Sequence, residues 1–82
     1  MHEMSVATEV CRMVRERLGD DVVMLVEVGL DVGDDSGLEP GNLQFCLEAL
    51  LAEPPFHGAR PVLTRQAGDV LRLSYLEVDD GR

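Results

Sequence analysis

The stretch DVVMLVEVGL, residues 21–30, constrains the fold of this chain more than any other. It is rich in β-branched residues and nearly continuous in apolar ones, as a strand covered on both faces would be. In a chain of 82 residues, a single hydrophobic core is only just enough to fold on. The segments around this run must therefore supply its cover.

Before it, Met4, Ala7, Cys11, Val14 and Leu18 recur at three- and four-residue steps, with Arg12, Arg15 and Glu16 between them. That spacing predicts an amphipathic helix ended by Gly19. Ser5 is a candidate cap, although Thr8 stands where a capping box wants Glu or Gln. After the run, DVGDDSG (31–37) reads as an acidic, Gly-rich loop. Glu39 and Pro40 then open a second helix, with Pro in the first turn where its missing N–H costs nothing. Leu43, Cys46, Leu47, Leu50 and Leu51 are its expected buried stripe, and Pro54 with Pro55 stops it. Residues 59–78 read as two strands around Ala67 and Gly68, where Gly68 supplies the positive φ of a tight turn.

The element order is α-β-α-β-β. The strand–helix–strand unit calls for a parallel crossover, and the short turn calls for an antiparallel hairpin of the last two strands. The expectation is a single α+β domain over 1–82: a small mixed three-stranded sheet with two helices packed mainly on one face.

Charge narrows the function. Acidic residues outnumber Lys plus Arg by 16 to 7, for a formal net charge of −9. Such a chain repels phosphate backbones and anionic lipid surfaces, so neither nucleic acid nor membrane is an expected partner. Most of that charge is explained as a solubilising surface. No apolar run is long enough to cross a bilayer and no signal-peptide layout opens the chain, so a cytoplasmic protein is expected. Cys11 and Cys46 lie in apolar helical patterns, as buried thiols rather than a disulfide, and no CxxC pair occurs. No nucleophile elbow, phosphate-cradling Gly loop, HExxH or Ser/His/Asp set is present, and an enzyme is not expected.

Several segments, taken in order, resemble one family. MHEMSVATEVCRMV at the start is similar to the opening of the HypA/HybF nickel metallochaperones of hydrogenase maturation, which begin MHE, then Leu or Met, then Ser. VEVG (26–29) resembles that family's strand ending, and GLEPGNLQFCLEAL (37–50) its Gly-aliphatic-acid-Pro helix start. HGA (57–59) sits where the family has Gly-Ala before its second strand, and VLRLSYLEV (70–78) resembles its last strand. Two departures stand out. Family members carry a zinc domain with two CxxC pairs between the second and third strands; here a direct link through TRQAGD (64–69) is expected to replace it with a hairpin turn, leaving no structural zinc. The acidic loop at 31–37 is also longer than the family's.

The resemblance implies nickel bound by the Met1 amine, the His2 side chain, and the backbone nitrogens of His2 and Glu3. Its chemistry stands independently. Square-planar, nitrogen-rich sites suit Ni(II) and Cu(II). An α-amine with a typical pKa of about 7.7–8.0 and an imidazole of about 6.5 both yield protons to a metal around neutral pH. A bulky His in second place favours retention of Met1. Outside that context His2 is an ordinary exposed imidazole, and Glu3 has a second role as negative charge at a helix N-terminus.

Other candidates are weaker. His57 follows Phe56 in a Pro-rich turn and reads as a loop residue; Asp31, Asp34 and Asp35 lack the spacing of an EF-hand and read as solvated loop. Met4, Met13 and Met24 fit core positions. Two functions follow. One is a metallochaperone that carries Ni(II) to a client metalloenzyme or accessory GTPase. The other is a metal-independent interaction or assembly factor, for which the enzyme served need not contain nickel. The last strand, if exposed, could pair across a homodimer; a monomer is the alternative.

Overall fold

Helix α1 (Glu3–Leu18) buries Val6, Ala7, Val10, Cys11 and Val14. The sequence offers two overlapping apolar diagonals, and packing selects the one through Val6, Val10 and Val14 together with Ala7 and Cys11. Leu18 packs against the core from its edge, whereas Met4 is 45% exposed. Met24 is exposed and Met13 half-buried, so none of the three methionines expected in the core belongs to it. The helix stops at Gly19, whose φ of +56° is left-handed and whose N–H donates to the Arg15 carbonyl.

The computed structural model describes residues 2–79. In it the chain does not extend directly after α1. Gly19–Met24 winds into a 3-10 segment that turns Val22 inward and leaves Val23 and Met24 outside. Strand β1 consequently runs Leu25–Gly33, shifted towards the C-terminus from the expected 21–30. Asp31, Val32 and Gly33 are strand residues rather than loop.

Helix α2 (Pro40–Leu51) forms as its sequence indicates. Glu39 caps it, its carboxylate accepting from the Gly41 and Asn42 amides, and Pro40 occupies the first turn. Leu43, Cys46, Leu47 and Leu51 are buried and Leu50 packs at the margin. Strands β2 (Arg60–Gln66) and β3 (Leu71–Val78) follow.

The sheet order is β2-β1-β3, with β2 parallel and β3 antiparallel to β1. The fold class is the α+β arrangement expected, with a parallel β1–β2 pair joined through α2. The hairpin is not: β2 and β3 flank β1 and do not pair with each other. Their link at 67–70 crosses the end of β1. Two strand spacings are about 9.6 Å and four extended residues reach about 13 Å, so so short a strap can make the crossing. It is fastened there. Gly33 donates to the Val70 carbonyl at 2.6 Å, Asp34 to that of Gln66 at 2.8 Å and Asp35 to that of Gly68 at 2.9 Å. A Cβ on Gly33 would sit 2.1 Å from the Gly68 carbonyl oxygen, so only Gly fits beneath the strap.

Alternation along β1 sends Val28, Leu30 and Val32 into the helix-covered core, each at most 1% exposed. Glu27, Gly29 and Asp31 face the other way and are covered by side chains instead of a second layer. The Tyr75 ring lies over Gly29, and its hydroxyl donates to Glu27 at 2.5 Å. Arg60 pairs with Glu27 at 2.9 Å, and Arg72 with Asp31 at 2.6 Å. Both faces of β1 are thus closed, as its sequence demanded, but by different chemistry.

Candidate metal centre

The strap, the end of β1, the 34–39 loop and the start of α2 all lie at one end of the sheet. Glu3 ties α1 to that end. Its carboxylate accepts from the Glu39 amide at 3.0 Å and from the Asn42 side-chain amide at 2.7 Å. These two donors, the Glu39 N–H first and Asn42 next, hold the Glu3 carboxyl below its ordinary value. The two helices therefore start side by side.

His2 occupies the N-cap position of α1 in an extended conformation, φ −81° and ψ 143°, and its side chain makes no capping bond. The residue is exposed, and its carbonyl accepts from the Val6 amide at 3.2 Å. A helix has no intrahelical acceptor for its first four N–H groups. Here they include those of His2 and Glu3, and the carboxylate that could fold back over them is engaged at the start of α2. An exposed imidazole thus stands beside two backbone nitrogens, those of His2 and Glu3, that have no acceptor within the helix ladder, the Glu3 N–H being shared with its own carboxylate. Met1, the remaining expected ligand, lies outside the described residues.

The other candidates separate from this end. His57 sits past the C-terminal end of α2, exposed and at φ +52°, in the turn that leads to β2. Twelve residues of α2, about 18 Å of helix, intervene. Asp31 is bonded to Arg72, and Asp34 to Arg65 at 2.8 Å, so two of the three expected loop carboxylates are in ion pairs. Cys11 and Cys46 are free and buried, and burial pushes the Cys11 thiol up to about 11, far from thiolate chemistry. Among the described residues no three His, Cys, Asp or Glu side chains gather as a metal site. No helix among them is long and apolar enough to cross a membrane.

The sequence marked His2 and Glu3 but not the part Asn42 and Glu39 play in holding Glu3. Glu39-Pro40 reads as a helix start, and no local pattern says that a residue 36 positions earlier will bond to it.

A family model described as HypA, hydrogenase/urease nickel incorporation metallochaperone, matches residues 1–71. A hydrogenase maturation factor HypA from Geobacter metallireducens is 37% identical over 68 residues, covering 83% of this chain and 60% of the relative. One of the same description from Geotalea uraniireducens is 35% identical over 65 residues, covering 79% and 57%. A third, from Albidiferax ferrireducens, is 34% identical over 61 residues. The chain matches over little more than half the length of these curated relatives. No solved structure matches it.

Proposed function

This chain belongs to the HypA family of hydrogenase/urease nickel incorporation metallochaperones, and from that premise we propose that it binds one Ni(II) at its N-terminal end. The ligands are the Met1 amine, the His2 imidazole, and the backbone nitrogens of His2 and Glu3. The ion is cargo, passed to a client metalloenzyme of the hydrogenase type or to an accessory GTPase. The reading rests on the start of α1, where the imidazole of the N-cap residue His2 stands exposed and makes no capping bond.

Electrostatics favour this donor set over a carboxylate one. A helix N-terminus carries about half a positive charge and opposes a bare dication. Two amide nitrogens that bind as anions cancel the charge of Ni(II), and the opposition disappears. Glu3 keeps its carboxylate on Glu39 and Asn42 throughout, so metal uptake need not loosen the helix pair. Cu(II) binds such sites more tightly than Ni(II), so the choice of metal follows availability and partner rather than affinity alone. On this reading the protein works in the cytoplasm, without catalysis of its own.

A metal-independent assembly factor is the second reading. The strap over Gly33 favours it, because that closed end is where the family resemblance would place the zinc domain and its partner contacts. The substitution His2→Ala separates the two. The metallochaperone loses stoichiometric Ni(II) uptake in a calorimetric titration while its circular dichroism and melting temperature stay put. One equivalent retained at similar affinity overturns the assignment. Full maturation activity in cells carrying His2→Ala supports the second reading.

A further inference from the structure

Strand β3 is an edge of the sheet, and among the described residues no strand lies on its outer side. The two edges are not alike. Edge β2 carries Pro61, which cannot donate to a further strand, whereas β3, LRLSYLEV, has no proline. Leu71 and Val78 are exposed by 42% and 41%. On the helix side, a shallow apolar groove of about 420 Å³ runs between α1 and β3, lined chiefly by Val6, Val10, Met13, Leu30, Leu71 and Leu73.

We propose that the occupant of this edge is a second copy of the chain, its β3 paired antiparallel to the first so that Arg72 of each copy meets Glu77 of the other. The register shift between Gly29 and Leu30 makes this possible. Opposite β1, Leu73 pairs with Leu30 and Tyr75 with Gly29, so Ser74 is an extra residue in a bulge. Leu71, Leu73, Leu76 and Val78 consequently share the core-facing side, and Arg72, Tyr75 and Glu77 the other. Read from either end, the strand runs apolar, charged, apolar.

In the proposed register Leu71 lies opposite Val78 of the second copy and Leu73 opposite Leu76. The arginine at one end meets the carboxylate at the other on the opposite face. Without the bulge, the same register would set apolar residues against charged ones, because a one-residue slip exchanges the faces. Backbone alternation agrees. Gly33 donates to the Val70 carbonyl, and Asp79 to that of Met24, so the groups of β3 that point away from β1 belong to the residues opposite Val32, Leu30 and Val28. Those are Leu71, Leu73 and Leu76, and 73 opposite 76 is a pair of this register.

The result is a six-stranded sheet with a continuous aliphatic strip across its two-fold axis. β3 lies almost wholly beyond the residues matched by the family model, so the proposal does not lean on the nickel reading.

Charge reversal tests it. Sedimentation equilibrium over roughly 10 µM to 1 mM spans the affinities of small interfaces, and about 0.3 M salt screens the net charge of −9. The native chain then shows concentration-dependent dimerisation. Glu77→Arg brings two like-charged pairs together and weakens the dimer by about tenfold or more. The double variant R72E/E77R restores it, because the charges meet again in reversed order. Since Arg72 also holds Asp31, melting curves establish that each variant is folded. Should R72E/E77R unfold, Glu77→Arg alone decides, with Glu77→Gln as the neutral intermediate expected between native and reversed charge. A native chain that stays monomeric to the highest concentration overturns the proposal. So does a dimer indifferent to Glu77→Arg, or a folded double variant that remains monomeric.

Discussion

Helix α2 starts with the carboxylate of its N-cap residue folded over its first amides, whereas the N-cap residue of α1, His2, makes no capping bond. Glu39 serves the Gly41 and Asn42 amides of its own helix. Glu3, in the first turn of α1, reaches across to the Glu39 amide and the Asn42 side chain instead. The difference separates two uses of one motif. At α2 the unpaired N–H groups are a structural liability and are satisfied within the fold. At α1 the N-cap side chain is an exposed imidazole that makes no such bond, and the first carboxylate chiefly anchors the helix to α2. A site built in this way would be held in place without being filled by the protein itself.

The contrast depends first on the end of the sheet from which α2 departs. Gly33→Ala is expected to remove it altogether, because the new Cβ would stand 2.1 Å from the Gly68 carbonyl oxygen and 2.4 Å from the Val70 nitrogen. Backbone cannot yield as a side chain can, and a loss of roughly 3 kcal/mol or more in urea unfolding is expected. An unchanged urea midpoint would show that the strap is loose.

Glu39→Ala acts on the capped helix alone. It strips both bonds from the start of α2, a loss of about 1–2 kcal/mol, which lowers the melting temperature by several degrees. Nickel uptake at α1 should be untouched. If uptake falls as well, the two starts are one site and the contrast fails.

Glu3→Gln is the mildest change and depends on pH. The folded Glu3 carboxyl titrates below its ordinary 4.5, so its contribution is complete above that value and disappears as pH falls through the folded one. Native chain and Glu3→Gln should therefore differ in melting temperature near neutrality and converge in acid. A gap that persists in acid would mean that Glu3 acts through packing.

Local chemistry made much of this fold readable. Gly19 ends α1, Glu39-Pro40 opens α2, and Gly68 at φ +85° marks the last turn, each through a backbone preference that needs no tertiary context. The strand order was obscured by proximity along the chain, since 60–66 and 71–78 are near neighbours in sequence. Yet Pro61 held the answer. A β1-β2-β3 order would put β2 in the centre with a residue that cannot donate to the ladder, while the observed order leaves it at an edge. The start of β1 was less legible, because Val22, Val23 and Met24 suit a strand and only packing winds them into a 3-10 turn. At the candidate site the residue types were visible, but not the helix start: Ser5, the cap the sequence offered, lies inside α1, whose N-cap is His2. The engagement of Glu3 by α2 was not visible either, because it joins positions distant in sequence.

Proton release during nickel binding tests the central claim most directly. A chain with an unblocked Met1 is titrated with Ni(II) in buffers of different ionisation enthalpy, alongside the absorption spectrum of the complex. Ligation by backbone nitrogen predicts a planar, diamagnetic complex and about two protons released beyond those of the amine and imidazole. A paramagnetic octahedral complex that releases no protons beyond those two groups would contradict it.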